Sequence, residues 1–236
     1  MSRELVLLVG TAASLGFVHT ILGPDHYVPF IVLSKARGWS ALKTSAITLL
    51  CGIGHVLSSV VLGFIGIVVG IAVFKLESIE AIRGDIATWF VMIFGFTYFV
   101  WGVHRAIRNK PHRHGHLHAD GTVHTHTHQH AADHTHVHRS KAGNITPWVL
   151  FVIFIFGPCE PLIPLIMYPA ARGSIFDVVI VALVFGVITI TTMLGAVLVS
   201  YFGLRNIPML KFERYSHALA GLAIFMCGAA MKFLGL

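Results

Sequence analysis

The sequence predicts an all-α integral membrane protein. Its six transmembrane helices form two inverted three-helix repeats, each opening on a helix broken at Gly-Pro. Composition is the first of three observations behind this. The 236 residues are 56% hydrophobic and 11% charged, with mean hydropathy +0.79, whereas soluble domains are about 25% charged. The second is six apolar stretches, at 4–34, 44–73, 86–104, 146–171, 175–203 and 215–235. Each is long enough for a hydrocarbon core that takes about 20 helical residues to cross. Only helices and closed barrels span bilayers, and no barrel-like alternation is present. The third is an internal repeat: "GPDHYVPFIVLSKARG" at 23–38 matches "GPCEPLIPLIMYPAARG" at 157–173, with one residue inserted.

The repeat divides the chain into a first half, 1–108, a histidine-rich linker, 109–144, and a second half, 145–236. Three spans per half insert the second half upside down relative to the first. Residues 1–10 lack a small-residue cleavage site, and their apolar run continues into the fold, so the first helix reads as an uncleaved targeting signal. Of the 17 Lys and Arg residues, twelve fall in the turns around 35–43, 104–145 and 204–214. The positive-inside rule puts these turns in the cytoplasm and both termini outside, in an inner or plasma membrane. That rule accounts for the basic pI of ≈ 9.6, so the charge implies no nucleic-acid partner. Three cysteines, Cys51, Cys159 and Cys227, all in apolar stretches, argue against an extracellular disulfide scaffold.

Gly-Pro inside a span breaks the helix, because proline removes a donor and clashes with the preceding turn. Freed backbone groups survive at bilayer depth only against protein or a water-filled cavity. Paired breaks at matching positions mark the central site of many transporters. Ionisable residues follow both breaks, although an aspartate at a helix centre costs roughly 2.5–3.5 kcal/mol to insert. The candidates are His19, Asp25, His26, His55, Cys159 and Glu160. His19 and His26 are seven apart, which continuous helix would place on one face. Gly52 and Gly54 beside His55 allow close helix approach. Cys159 and Glu160 take the places of Asp25 and His26 in the second half. Three imidazoles, two carboxylates and a thiol suit a divalent transition metal, since imidazole favours Ni, Co, Zn, Cu and Fe over Mg or Ca. His104 and His217 lie near membrane ends and read as interfacial. Thr189, Thr191 and Thr192 fall near the place matching His55.

Residues 112–138 hold eleven of the 16 histidines: His112, His114, His116, His118, His124, His126, His128, His130, His134, His136 and His138. This polar tract is expected to be disordered without ligand and to bind several metal ions as a cytoplasmic buffer, sensor or antenna. A cytoplasmic metallochaperone is a possible partner there.

With these residues in view, the chain resembles the nickel/cobalt transporter superfamily, including urease-accessory-type permeases and nickel/cobalt efflux proteins. The family's first-half His-x4-Asp-His is similar to His19-x5-Asp25-His26, which is one residue longer. "GHVLSSVV" around His55 looks like its second-helix motif, and "GPCEPLIP" like the Pro-Cys-Pro segment of the efflux branch. The resemblance implies secondary transport of Ni²⁺ or Co²⁺, with Zn²⁺ or Fe²⁺ as alternatives. The bilayer, the cargo ion and protons as coupling ion would be its partners, and no cofactor would be bound permanently. Protonating Asp25, Glu160 or a histidine would release the ion. The same scaffold resembles the membrane thiol–disulfide electron carriers, which need one cysteine in each broken helix. Here Cys159 is present, but Asp25 holds the matching first-half place and Cys51 lies on the next helix. A permease for sulfite or another small anion is a third reading, disfavoured by Asp25 and Glu160. No nucleotide-binding motif or soluble catalytic motif is present, so the expectation is a transporter rather than an enzyme.

Overall fold

A computed structural model describes residues 2–108, 112–117, 123–128, 145–205 and 213–234. Eight helices make up its body. Helix α1 (Arg3–Leu22) runs to Gly23, and a single 3₁₀ turn, Pro24–His26, leads into α2 (Val28–Arg37). Then come α3 (Ala41–Val69) and α4 (Val73–Arg108). The second half repeats the order: α5 (Thr146–Phe156), a break, α6 (Leu162–Ala171), α7 (Ile175–Arg205) and α8 (Ser216–Leu234). Within the histidine tract, His112–Leu117 (β1) and Val123–His128 (β2) pair antiparallel, His112 opposite His128. His118, His130, His134, His136 and His138 lie outside the described residues.

Local signals set the boundaries. Ser2 accepts a bond from the Leu5 N–H at 3.2 Å and Ser40 one from the Lys43 N–H at 3.3 Å, capping α1 and α3 at their otherwise unpaired first turns. Gly38 ends α2 in the left-handed region at φ 60°, where a glycine carries no Cβ penalty.

Five helices are long and apolar enough to cross a membrane: α1, α3, α4, the Ile175–Leu204 part of α7, and α8. The expected fourth span, 146–171, is two short apolar helices, α5 and α6, on either side of its Gly-Pro. Five helices of spanning length are therefore described where six spans were expected. The fourth helix is also longer than its apolar stretch. It starts at Val73, so the charged run 75–85, which lies between two apolar stretches of the sequence, is helical.

Large apolar side chains such as Leu7, Val68 and Phe176 are 71%, 83% and 71% exposed, a surface suited to lipid rather than water. Inside, α1 packs on α7, α3 on α5 and α7, and α4 on α8. The α4–α8 seam is close because Gly95, Gly102 and Gly221 face the opposing backbone, with no room for a Cβ; small residues let membrane helices approach this way. Two buried apolar clusters, one around Phe30, Leu150 and Ile224 and one around Leu162, Ile166 and Phe185, hold the broken segments between the long helices.

Candidate functional site

The first break carries its own backbone bonds. The Gly23 N–H donates to His19 O at 3.0 Å, His26 N–H to Gly23 O at 3.1 Å and Tyr27 N–H to Pro24 O at 3.4 Å. This tight turn folds His26 back towards the end of α1. The His19 and His26 rings meet edge-on at 4.8 Å between centroids, a closeness that the seven-residue helical spacing alone does not produce. His26 is 2% exposed. Its Nδ1 lies 3.0 Å from Gly23 O and 3.1 Å from Asp25 Oδ1, and both are acceptors, so Nδ1 carries the hydrogen and donates to them. Its Nε2 then faces the interior.

Helix α3 supplies His55, also 2% exposed. Its Nε2 lies 3.3 Å from His26 Nε2 and 3.0 Å from Cys159 Sγ. Phe154 of α5 and Phe185 of α7 wall the rings. One ring nitrogen each of His19, His26 and His55 lies within 4.8 Å of the others. His19 Nε2, His55 Nδ1 and the hydroxyls of Thr48 and Thr189 are buried without a hydrogen-bond partner, an arrangement that native interiors avoid unless something else satisfies them.

The second break is built differently. Side chains from two other helices hold its backbone. The Cys159 N–H donates to Ser59 Oγ at 3.2 Å. Arg83 Nη2 donates to Ile155 O at 2.9 Å, to Gly157 O at 3.3 Å and to Ser58 Oγ at 2.8 Å, while its Nη1 pairs with Glu80. Glu80 is fully buried, and Ser59 Oγ donates to its Oε2 at 3.3 Å. Cys51, His55 and Ser59 are spaced i, i+4, so they share one face of α3. From that face Ser59 holds the Cys159 backbone and His55 meets its sulfur. Gly157 is required by closeness, since a Cβ there would lie 2.9 Å from His55 Nδ1.

Of the six candidates, the structure brings together His19, Asp25, His26, His55 and Cys159. Glu160, next to Cys159, is exposed and outside the cluster. Thr189 is buried at the site's edge, beside Gly16 of α1, whereas Thr191 is exposed and bonds back to Val187 O at 2.7 Å. His217 is bonded to Tyr98 at 2.8 Å, and His104 lies 3.4 Å from Arg108 on the surface. Sequence reasoning missed Glu80 and Arg83. Their i, i+3 spacing was the available signal, but it lies in a charged run between two apolar stretches.

Chemically, Cys159, His55, His26 and Asp25 form a continuous chain: a thiol, an imidazole within hydrogen-bond reach of it, a second imidazole, and a carboxylate that fixes the second ring. Both neighbours of His55, the Cys159 sulfur and the His26 ring, meet it at the same nitrogen, Nε2.

The family described as "Cytochrome C biogenesis protein transmembrane region" matches residues 28–230. This overturns the resemblance to nickel/cobalt transporters, and the assignment of Ni²⁺ or Co²⁺ that rested on it falls too. Nothing among the curated proteins or the solved structures matches the chain.

Proposed function

The chain belongs to the cytochrome c biogenesis transmembrane-region family, and on that premise we propose that this multi-pass membrane protein is a thiol–disulfide electron carrier with Cys159 as its exchange thiol. The observation that carries the reading is the 3.0 Å approach of Cys159 Sγ to His55 Nε2, inside a buried chain that ends at Asp25. The thiolate is the nucleophile in exchange. Once the opening of the second break frees His55 Nε2 from His26, that nitrogen takes the Cys159 proton, and the thiolate attacks one sulfur of a partner's disulfide. A Cys159–partner disulfide forms, and the other partner sulfur leaves as a thiolate that takes up a proton. A donor thiol then attacks Cys159 Sγ of the mixed disulfide and releases the partner as a dithiol, and the donor's second thiol attacks the resulting donor–Cys159 disulfide, restoring the Cys159 thiol and leaving the donor as a disulfide. Two electrons pass from donor to partner. Cys159 is fully buried, so exchange needs the second break to open. Gly157 and Pro158, where α5 ends and α6 has not begun, are the natural place for that. Cys51 and Cys227 are free, buried thiols outside the His55 contact.

The test is to trap the mixed disulfide in membranes with an oxidised small dithiol. A reductant-sensitive adduct is expected on wild type and on Cys51→Ser, and none on Cys159→Ser. An adduct that survives Cys159→Ser would sink the assignment.

One observation favours a second reading: the three imidazoles within 4.8 Å of one another, two of them with ring nitrogens that lack partners. His19, His26, His55 and Cys159 offer nitrogen and sulfur donors that suit a borderline or soft transition-metal ion as cargo. Under this reading, protein purified from metal-supplemented cells retains about one ion per chain, and His26→Ala retains none.

A further inference from the structure

The histidine tract has no part in the redox reading. Within it, β1 (His112–Leu117) and β2 (Val123–His128) carry six histidines, three on each strand. The register sets them against one another: His112 pairs with His128, His114 with His126 and His116 with His124. Between these rungs Arg113 pairs with Thr127 and Gly115 with Thr125, and Leu117 pairs with Val123 at the closed end. Residues two apart on a strand lie on the same face, and residues directly opposite in an antiparallel ladder share that face. All six histidine positions therefore belong to one face of the hairpin, and none to the other. The alternation in the sequence does not dictate this, because a one-residue slip of the pairing would put three on each face.

The rungs place these positions about 5 Å apart across the strands and roughly 7 Å apart along them. Two adjacent rungs offer four imidazoles, and neither strand contributes an Asp, Glu or Cys. A donor set of imidazoles alone suits a divalent transition ion, whereas Mg²⁺ and Ca²⁺ take oxygen. Four nitrogens match the tetrahedral coordination of Zn²⁺. The ladder also gains from an ion. Two strands by themselves are marginally stable in water, and this sheet has two strands among the described residues. Gly115 further weakens the middle of β1. An ion bound across the rungs ties β1 to β2.

We propose that the one-face histidine ladder of β1 and β2 is a binding site for a divalent transition-metal ion, separate from the His19–His26–His55 cluster and independent of the redox reading of Cys159. The central rung, His114 and His126, belongs to both pairs of adjacent rungs and carries the site. A two-stranded ladder encloses no cavity, so its ion exchanges with the medium and is read at equilibrium rather than after purification.

Full-length protein without an affinity tag is stripped with a chelator and placed in nanodiscs of phosphatidylcholine. It is dialysed against buffered Zn²⁺, with Mg²⁺ as the control ion, and bound metal is counted by mass spectrometry. Wild type is compared with three variants. His114→Gln with His126→Gln removes the central rung. Thr125→His with His126→Thr keeps the number of histidines and moves one to the other face. His134→Gln with His136→Gln removes two histidines of the tract outside the hairpin. The buried cluster is the same in all four proteins, so its ions cancel. The ladder predicts saturable Zn²⁺ uptake without Mg²⁺ uptake, an affinity about tenfold lower in the first two variants, and wild-type affinity in the third. An equal loss in the third variant, or no loss on moving the histidine, means that the tract binds by composition alone and overturns the proposal. Zn²⁺ uptake that removal of the central rung does not lower overturns it as well. A Tm without metal that is the same in all four proteins ties the lost affinity to the ladder rather than to the helices.

Discussion

The two Gly-Pro breaks begin alike in sequence and are stabilised in opposite ways. At the first, Gly23–Tyr27 closes its own 3₁₀ turn, and its side chains are left to face inward: His26 reaches His19 and His55, and Asp25 braces His26. At the second, the carbonyls of Ile155 and Gly157 and the N–H of Cys159 are bonded by Arg83 and Ser59 from α4 and α3. The first break is a local structure; the second is a tertiary one. A segment held by removable side-chain clamps can open, and the buried Cys159 sits in that segment. Under the proposed function, the first break would hold the imidazoles still and the second would let Cys159 move.

The largest expected effect comes from removing the clamp. Arg83→Ala leaves Glu80 buried without its cation, which costs about 3–5 kcal/mol, and should lower the Tm in detergent sharply. Tyr27→Phe removes the Tyr27 hydroxyl bond to Ile21 O on the exposed side of the first break and is expected to cost about 0.5 kcal/mol or less. Equal losses would erase the distinction between a local and a tertiary break. Pairing Arg83→Met with Glu80→Leu should recover much of the loss, because the charge and its partner go together.

Next in size is the proton acceptor. His55→Ala should slow mixed-disulfide formation at Cys159 about 10²-fold, the lower end of what a positioned base contributes, and leave the alkylation rate of Cys51 in unfolded protein unchanged. An unchanged rate at Cys159 would mean that the 3.0 Å contact is only packing. Smaller than the Arg83 and His55 effects is Ser59→Ala, at about 1–2 kcal/mol, since it deprives the Cys159 N–H of its acceptor and Glu80 of a donor. Urea titration of the two single variants would show Ser59→Ala well below Arg83→Ala. The reverse order would place the clamp on α3 rather than α4.

Much of the site was legible because breaks and buried ionisable residues are rare in apolar spans, so His19, His26, His55 and Cys159 stood out from their surroundings. Their assembly was foreseen; the geometry that achieves it was not. His26 meets His19 through a turn rather than along a helix face. Glu160 is the counterpart of His26 in the repeat, yet it is exposed, because the second break lacks the 3₁₀ turn that folds His26 inward. Glu80 and Arg83 were invisible for a different reason: a charged run usually marks solvent, and only the packed structure shows that α4 carries this one against the second break. The family was misread because short motifs around His19 and His55 were weighed above the broken-helix scaffold, which the thiol–disulfide carriers also resemble.

The central claim is that Cys159 changes redox state in the membrane. The most direct measurement is differential alkylation of Cys159, read by mass spectrometry, in a Cys51→Ser/Cys227→Ser protein equilibrated across a series of thiol–disulfide buffers. The account predicts a single reversible titration from free thiol to mixed disulfide, slowed by His55→Ala. A Cys159 that remains a free thiol at every buffer ratio, while the protein stays folded, would contradict it.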